Sequence, residues 1–210
     1  MGNSGSWLGE GSTDSTEVAH YYDEWAESYN SSLAEWEYVA PQRAAELLKK
    51  HTPLTGTVLD AGCGTGLTGE ALKRVGFDDL VGSDISPTSV EKARSTGCYR
   101  DVAVVDMQEL PLPFADDGFA AVNCVGVLTY IDAREQLMRE FARITKSDGV
   151  LAFTHRSDLA ADGSFQGMLD GLEQEGLIEK IAVSEPAPYL PKNEDFADKI
   201  LVIYYLYRVR

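Results

Sequence analysis

Three acidic side chains and a run of alternating glycines carry the most chemistry in this chain of 210 residues. The apolar run Val58-Leu59 ends in Asp60, and Ala61-Gly62-Cys63-Gly64-Thr65-Gly66 follows at once. Glycine accepts positive φ and leaves room where a Cβ would collide with a ligand. A helix that starts after such a turn directs its unpaired N–H groups toward whatever lies in front of it. Strand, glycine turn and helix in that order make a loop built to lie against a bound nucleoside. The G-x-G-x-G spacing differs from the G-x-G-x-x-G of dinucleotide-binding units, whose helix N-terminus receives a pyrophosphate. A nucleoside ligand without phosphates is therefore expected, and a nicotinamide dinucleotide is disfavoured.

The other two carboxylates end the next two strand-like runs. Leu80-Val81-Gly82-Ser83 leads to Asp84, about twenty residues past the glycines, where an acid accepts hydrogen bonds from ribose hydroxyls. Ile85 then packs on the adenine face. Val102-Ala103-Val104-Val105 leads to Asp106-Met107, which puts a carboxylate near an exocyclic amine. Together these residues outline a pocket for adenosine.

Asp60 to Gly66, Asp84 and Asp106 resemble the pattern of class I S-adenosylmethionine-dependent methyltransferases. The opening Tyr22-Asp23-Glu24-Trp25-Ala26-Glu27-Ser28-Tyr29-Asn30 is similar to the Y-D-x-W-A-x-x-Y-D start of small-molecule members. More narrowly, that opening, Ala40-Pro41-Gln42-Arg43, Cys63 to Leu67 and Cys124-Val125-Gly126-Val127-Leu128 resemble methyltransferase-like 27 (Williams-Beuren region) proteins. Asn30 departs from the final Asp of the opening, and Lys146-Ser147-Asp148-Gly149 from the K-P-G-G before the fifth strand. The resemblance implies S-adenosylmethionine as cofactor, S-adenosylhomocysteine as product and methyl transfer to oxygen, nitrogen or sulfur of a small molecule. It implies a cofactor site made of Tyr21, Tyr29, Asp60, Gly62, Gly64, Thr65, Asp84, Ile85, Asp106, Met107 and Cys124. A non-catalytic S-adenosylmethionine-binding protein and a protein methyltransferase are the alternatives.

Methyl transfer is served mainly by positioning, and a base is needed only for an acceptor that holds its proton. His155 follows the fifth strand and has a side chain suited to base chemistry near neutral pH, unless it pairs with a loop acid such as Asp158. His20 is a second candidate. The cluster His20, Tyr21, Tyr22, Trp25 and Tyr29 precedes the first strand, where it either closes over the cofactor as a lid or packs its helix onto the domain. An aromatic face stabilises a cationic sulfonium without attacking it, which assigns Tyr21 and Tyr29 to the cofactor and Tyr22 to packing. Trp25, Thr129 and Tyr189 are the expected acceptor contacts. Tyr130 joins the histidines as a catalytic candidate, although Thr129 and Tyr130 could equally orient their loop.

These residues need a scaffold whose strand ends share one edge, and alternating strands and helices without a repeat or linker supply it. The expected fold is α/β: a three-layer Rossmann-like methyltransferase fold with a seven-stranded, mostly parallel sheet, one antiparallel edge strand and helices on both faces. The class resemblance implies that the last two strands, Leu177 to Val183 and Ile200 to Tyr207, form a hairpin. Ser86-Pro87 reads as N-cap and first turn of a helix, and Phe165, Met168, Leu169 and Leu172 recur at helical spacing. A flexible leader over 1–16 and one domain over 17–210, with a helical lid over about 17–50, complete the expected organisation.

Composition bounds the rest. At 44% apolar residues the chain can bury a stable core. A net charge of −16, from 18 Lys and Arg against 34 Asp and Glu, leaves little for the basic face that a polyanion needs. The N/D-P-P-Y/F box of nucleobase amino-methyltransferases is replaced by Asn123-Cys124-Val125-Gly126. Small-molecule substrate, no nucleic acid and no membrane are the expected partners, with a monomer or homodimer in the cytoplasm. Met1-Gly2-Asn3-Ser4-Gly5-Ser6 fits a short N-myristoylation pattern at Gly2 without a basic cluster beside it. Scattered Cys63, Cys98 and Cys124 argue against a disulfide framework, and the histidine spacing suggests no metal site.

Overall fold

A computed structural model of the chain describes residues 11–197 and 199–210. Most of the leader, and the Gly2 pattern with it, therefore lies outside the described residues. The strands are β1 (Val58–Ala61), β2 (Leu80–Asp84), β3 (Asp101–Val104), β4 (Phe119–Cys124), β5 (Thr145–Arg156), β6 (Ile178–Val183), β7 (Ala187–Pro188) and β8 (Leu201–Val209). The helices are α1 (Ser15–Trp25), α2 (Tyr29–Glu35), α3 (Ala40–His51), α4 (Leu67–Val75), α5 (Pro87–Ser95), α6 (Arg134–Ile144), α7 (Ser157–Ala160) and α8 (Ser164–Gln174).

The main path through the sheet runs β3-β2-β1-β4-β5-β8-β6, with the two-residue β7 pairing β8 off that path. β1 to β5 are mutually parallel, while β8 is antiparallel to both β5 and β6. The seven-stranded, mostly parallel sheet is thus present, but its reversed strand lies one place inside the edge. The reason is local: the hairpin from β6 folds β8 inward onto β5, where Phe153 stacks on Tyr205 and Tyr207 at 5.4 and 6.0 Å.

Alternation along the strands fills both faces. Leu59, Val122 and Leu151 meet α6 and α8 through Leu137, Phe141 and Leu169 on one side. Val58, Ala121 and Val150 meet α3 and α4 through Leu48 and Leu72 on the other. Pro41 sits in the first turn of α3. Ser86 caps α5 as its spacing predicts, its hydroxyl accepting the Ser89 N–H at 3.0 Å.

Two boundaries need correction. Asp14 caps α1 by accepting the Glu17 N–H at 3.0 Å, so Ser15 and Thr16 are helical rather than leader. α3 belongs to the covered face of the sheet, because Ala45 and Leu48 are fully buried against it. The roof over the strand ends is consequently α1 and α2 rather than the whole of 17–50.

Candidate active site

Strand order reverses between β1 and β4, both neighbours of β1 being parallel to it. Loops leaving such a switch point diverge and open a crevice at the carboxyl edge. Here the β1 loop turns through Gly62, Gly64 and Gly66, with φ of +78°, +52° and +102°. Gly66 starts α4 from the left-handed region, which a Cβ would strain. The Gly62 and Cys63 N–H groups donate to the Ser83 carbonyl at 2.7 and 2.9 Å, fastening the loop to β2. Asp84 completes the fastening, accepting the Gly64 N–H at 2.8 Å on one oxygen and the Ser86 N–H at 3.0 Å on the other. Burial pushes the Asp84 carboxyl up from its ordinary range, and those backbone donors pull it back.

An outer cavity lies over this loop. Gly62, Gly64, Asp84, Ile85, Asp106 and Met107 line it, so the glycines and both downstream carboxylates expected around adenosine come together. Tyr29 joins them from the roof. The sequence reading missed Val18, Gln108 and Ile131, which complete the outer walls. Gln108 ties roof to floor, its amide donating to the Thr13 carbonyl at 2.7 Å and its carbonyl accepting the Asp132 N–H at 3.0 Å. Its position two residues past Asp106 was the available signal.

An inner cavity adjoins the first. Tyr22, Tyr29, Tyr130, Val125 and Gly126 line both spaces, and the Tyr22 hydroxyl donates to that of Tyr130 at 2.9 Å. Trp25, Thr129 and Tyr189, the expected acceptor contacts, all line the inner space. Tyr38, Arg156 and Phe196 were not anticipated there. Burial raises the phenols of Tyr22, Tyr29, Tyr38, Tyr130 and Tyr189 above their usual range, so all stay protonated.

Several expected site residues stand elsewhere. Asp60 is fully buried behind the loop, where it accepts the Tyr99 hydroxyl at 2.7 Å, and Tyr99 in turn accepts the Gly69 N–H at 2.9 Å. It braces the first turn of α4 and lines neither cavity, and burial pushes its carboxyl up to about 7. Thr65 is likewise behind the wall, donating to the Asn30 side chain at 2.5 Å, so the departure at position 30 is a bolt between roof and loop. The Cys124 side chain faces the core, and burial raises its thiol.

Tyr21 and Tyr22 exchange their expected places. Helical phase turns Tyr22 into the cavities and leaves Tyr21 packed on Tyr22 and Trp25 at 5.3 and 5.7 Å. His20 points outward, 72% exposed, beside Glu24. His155 is buried but lies on the opposite face of β5, its ring 4.3 Å from Phe165. Alternation sends Phe153 and His155 toward α8, and Thr154 and Arg156 toward the roof. The Thr154 hydroxyl there accepts the Gly126 N–H at 2.9 Å. Neither histidine lines either cavity.

The sequence profile of a methyltransferase domain family matches residues 59–153, from β1 through β5. Human methyltransferase-like protein 27 is 33% identical over 175 residues, covering 80% of this chain and 71% of that protein. A probable tRNA methyltransferase 9B of Bos taurus is 33% identical over 138 residues, covering 64% of this chain and 28% of its own length. The solved structure of the cyclase SpnF superposes with a TM-score of 0.72 at 20% identity, covering 93% of this chain and 96% of its own, a likeness of fold alone. The relationship to the human protein goes further, since it holds across most of both sequences, and the chain therefore belongs to the class I S-adenosylmethionine-dependent methyltransferases.

Proposed function

We propose that the chain methylates a small-molecule acceptor at oxygen, nitrogen or sulfur. The observation that carries this reading is the wall common to the two cavities. Tyr22, Tyr29, Tyr130, Val125 and Gly126 border both a nucleoside-lined space and an aromatic one, as a reaction that passes one group between two bound molecules requires.

The outer residues fit S-adenosylmethionine. Each oxygen of an ionised carboxylate has about two acceptor positions, so Asp84, which accepts the Gly64 and Ser86 N–H groups and is also reached by the Ile85 N–H, retains acceptor capacity for a ribose hydroxyl. A Cβ on Gly62 would lie 2.1 Å from the Val127 methyl carbon Cγ2, so the loop backbone forms the floor where a side chain has no room. Ile85 and Met107 supply apolar surface for the base, and Asp106 an acceptor for its amine. The bound cofactor supplies an electrophilic sulfonium methyl. Tyr22 and Tyr130, locked hydroxyl to hydroxyl, orient the acceptor behind that methyl, and α1 with α2 exclude water. Trp25, Leu33, Leu190 and Phe196 are all at least nine-tenths buried around the inner space, which suits an apolar molecule of modest size.

Calorimetric titration of ligand-free protein with S-adenosylmethionine and S-adenosylhomocysteine tests the cofactor half. Both are expected to bind in the micromolar range. Asp84→Ala is expected to weaken each by about 1.5 to 3 kcal/mol, the worth of charge-assisted bonds to the ribose. Unchanged affinity in the folded variant would remove the adenosine from this cavity, and failure to methylate any small acceptor while binding both ligands would favour a non-catalytic binder.

A further inference from the structure

Tyr38 belongs to two spaces at once. It lines the inner cavity, and it also lines a groove on the outer surface together with Ala34, Val39, Arg43, Pro188 and Pro191. The chain on either side of it alternates between the same two spaces. On α2, Leu33 borders the cavity and Ala34 the groove. From the end of β7 onward, Tyr189 and Leu190 border the cavity, while Pro188 and Pro191 border the groove. Cavity and groove are therefore the two faces of one thin wall, and Tyr38 is reached from both.

The backbone frame of that wall is pinned. The Tyr38 N–H donates to the Leu33 carbonyl at 3.0 Å and the Glu37 N–H to the Ala34 carbonyl at 3.2 Å, closing the end of α2 through Glu37 at φ +56°. From the opposite side the Lys192 N–H donates to the Trp36 carbonyl at 3.3 Å, and the Lys192 ammonium meets the Glu37 carboxylate at 2.6 Å. Two rings fill the space between these pins. Tyr38 stands edge-on to Tyr189, their centroids 5.4 Å apart. A Cβ on Gly126 would lie 2.7 Å from the Tyr189 hydroxyl oxygen and 3.3 Å from that of Tyr38. Gly126 borders both cavities, so the Tyr38 side chain runs from the surface groove to the wall shared with the outer cavity. A turn about its χ1 leaves every pin of the backbone in place.

A bound cofactor gives this placement its meaning, so the inference rests on the methyltransferase reading above. Tyr22, Tyr29, Tyr130, Val125 and Gly126 stand between the two cavities, and a nucleoside in the outer one lies against them and occupies the way in from that side. We propose that the acceptor enters and the methylated product leaves through the surface groove, with Tyr38 as the door, while the cofactor keeps its own cavity. Rotation of the Tyr38 ring away from Tyr189 opens the wall. Its return encloses the acceptor and excludes water again. Val39, Pro188 and Pro191 give the groove an apolar rim, matched to the apolar molecule that the inner space suits. Tyr38 is thereby a specificity-determining residue, since an acceptor has to pass its ring.

The test follows 4-fluorophenol and 4-fluorotoluene by fluorine NMR into the full chain saturated with S-adenosylhomocysteine, with the methyl signals of Leu33 and Leu190 reporting arrival in the inner cavity. At least one probe is expected to bind the saturated protein, with an association rate within about twofold of that for ligand-free protein. Tyr38→Ala is expected to speed probe association by about tenfold or more, as removal of a conformational step does, and to leave the dissociation rate of S-adenosylhomocysteine unchanged. Ala34 is exposed on the groove side. Ala34→Trp is expected to slow probe association and dissociation by the same factor and to leave the equilibrium affinity unchanged, because the new ring fills the groove and not the cavity. A purely structural role would not give that matched change. Exclusion of both probes from the saturated protein, an unchanged association rate in folded Tyr38→Ala, or unchanged probe rates in Ala34→Trp overturns the inference. If Tyr38→Ala does not fold, Ala34→Trp decides alone. Failure of S-adenosylhomocysteine itself to bind would instead remove the methyltransferase reading.

Discussion

His155 stands at the carboxyl end of β5, where its type and place suggest catalysis, and the phase of the strand turns it to the other face. Burial, followed by the positive charge of Arg134 and Arg156, pulls its imidazole down to about 4. An unfolded imidazole takes up its proton near pH 6.5. Between those values the unfolded chain binds the proton and the native chain does not, so stability is lost as pH falls from about 6.5 to 4. The full contribution is roughly 3 kcal/mol. Denaturant unfolding at both ends of that window should therefore show the wild type losing more stability than His155→Gln, and equal losses would mean that the imidazole charges without penalty in the fold. At this scale the glycines, Asp84, Ile85, Asp106 and Met107 were legible, because backbone geometry and a polar ligand dictate their types. Tyr22 and Arg156 were not: a one-residue phase difference on a helix or strand decides which neighbour faces the site, and residue type does not reveal it. Asp60 lies outside the cavities for a reason of the same kind, since an acid beside a glycine loop can brace it from behind.

α1 is held over the site by a contact between segments far apart in the chain. One Asp23 oxygen accepts both the Ser86 hydroxyl and the Thr88 N–H, the latter at 3.0 Å, so a roof residue helps cap α5 directly after the Asp84 loop. Those bonds hold the Asp23 carboxyl below its ordinary range despite partial burial. Asp23→Ala is expected to cost about 1 kcal/mol of global stability, the usual value of a lost cap. Hydrogen-exchange protection over residues 15–25 should fall with it, and S-adenosylhomocysteine should bind about fivefold or more weakly. Unchanged protection would mean that aromatic packing alone holds the roof. Much was legible from periodicity and caps: β1 and β2 lie within a residue or two of their expected runs, α5 starts at its expected cap, and the helical spacing of Phe165, Met168, Leu169 and Leu172 falls within α8. The position of β8 between β5 and β6 was not, because pairing order depends on which partners bury its aromatic residues, and its own composition is silent on that.

Charge is the property that belongs to the whole molecule. Many of its cations are spent within acidic networks: Arg139 bridges Glu135 and Glu175, Arg143 bridges Glu140 and Asp116, and Arg210 reaches Asp148 and Glu179. A basic face for a nucleic acid is hard to assemble from what remains. Fluorescence anisotropy with bulk tRNA at about 0.15 M salt should give binding weaker than the 10⁻⁴ to 10⁻⁶ M typical of non-specific complexes. Tight, salt-sensitive binding would overturn this reading of the charge. Among the described residues no helix is long and apolar enough to cross a membrane. The tyrosine pair Tyr22–Tyr130 has a consequence for the order of events. Because the two cavities share that surface, ligands bound in them would be thermodynamically linked: whatever factor the second adds to the hold on the first, the first must add to the hold on the second. Transfer would move the methyl group from one side of that surface to the other, so the product pair is held by a different coupling from the reactant pair, while the free energy of the transfer itself sets the direction.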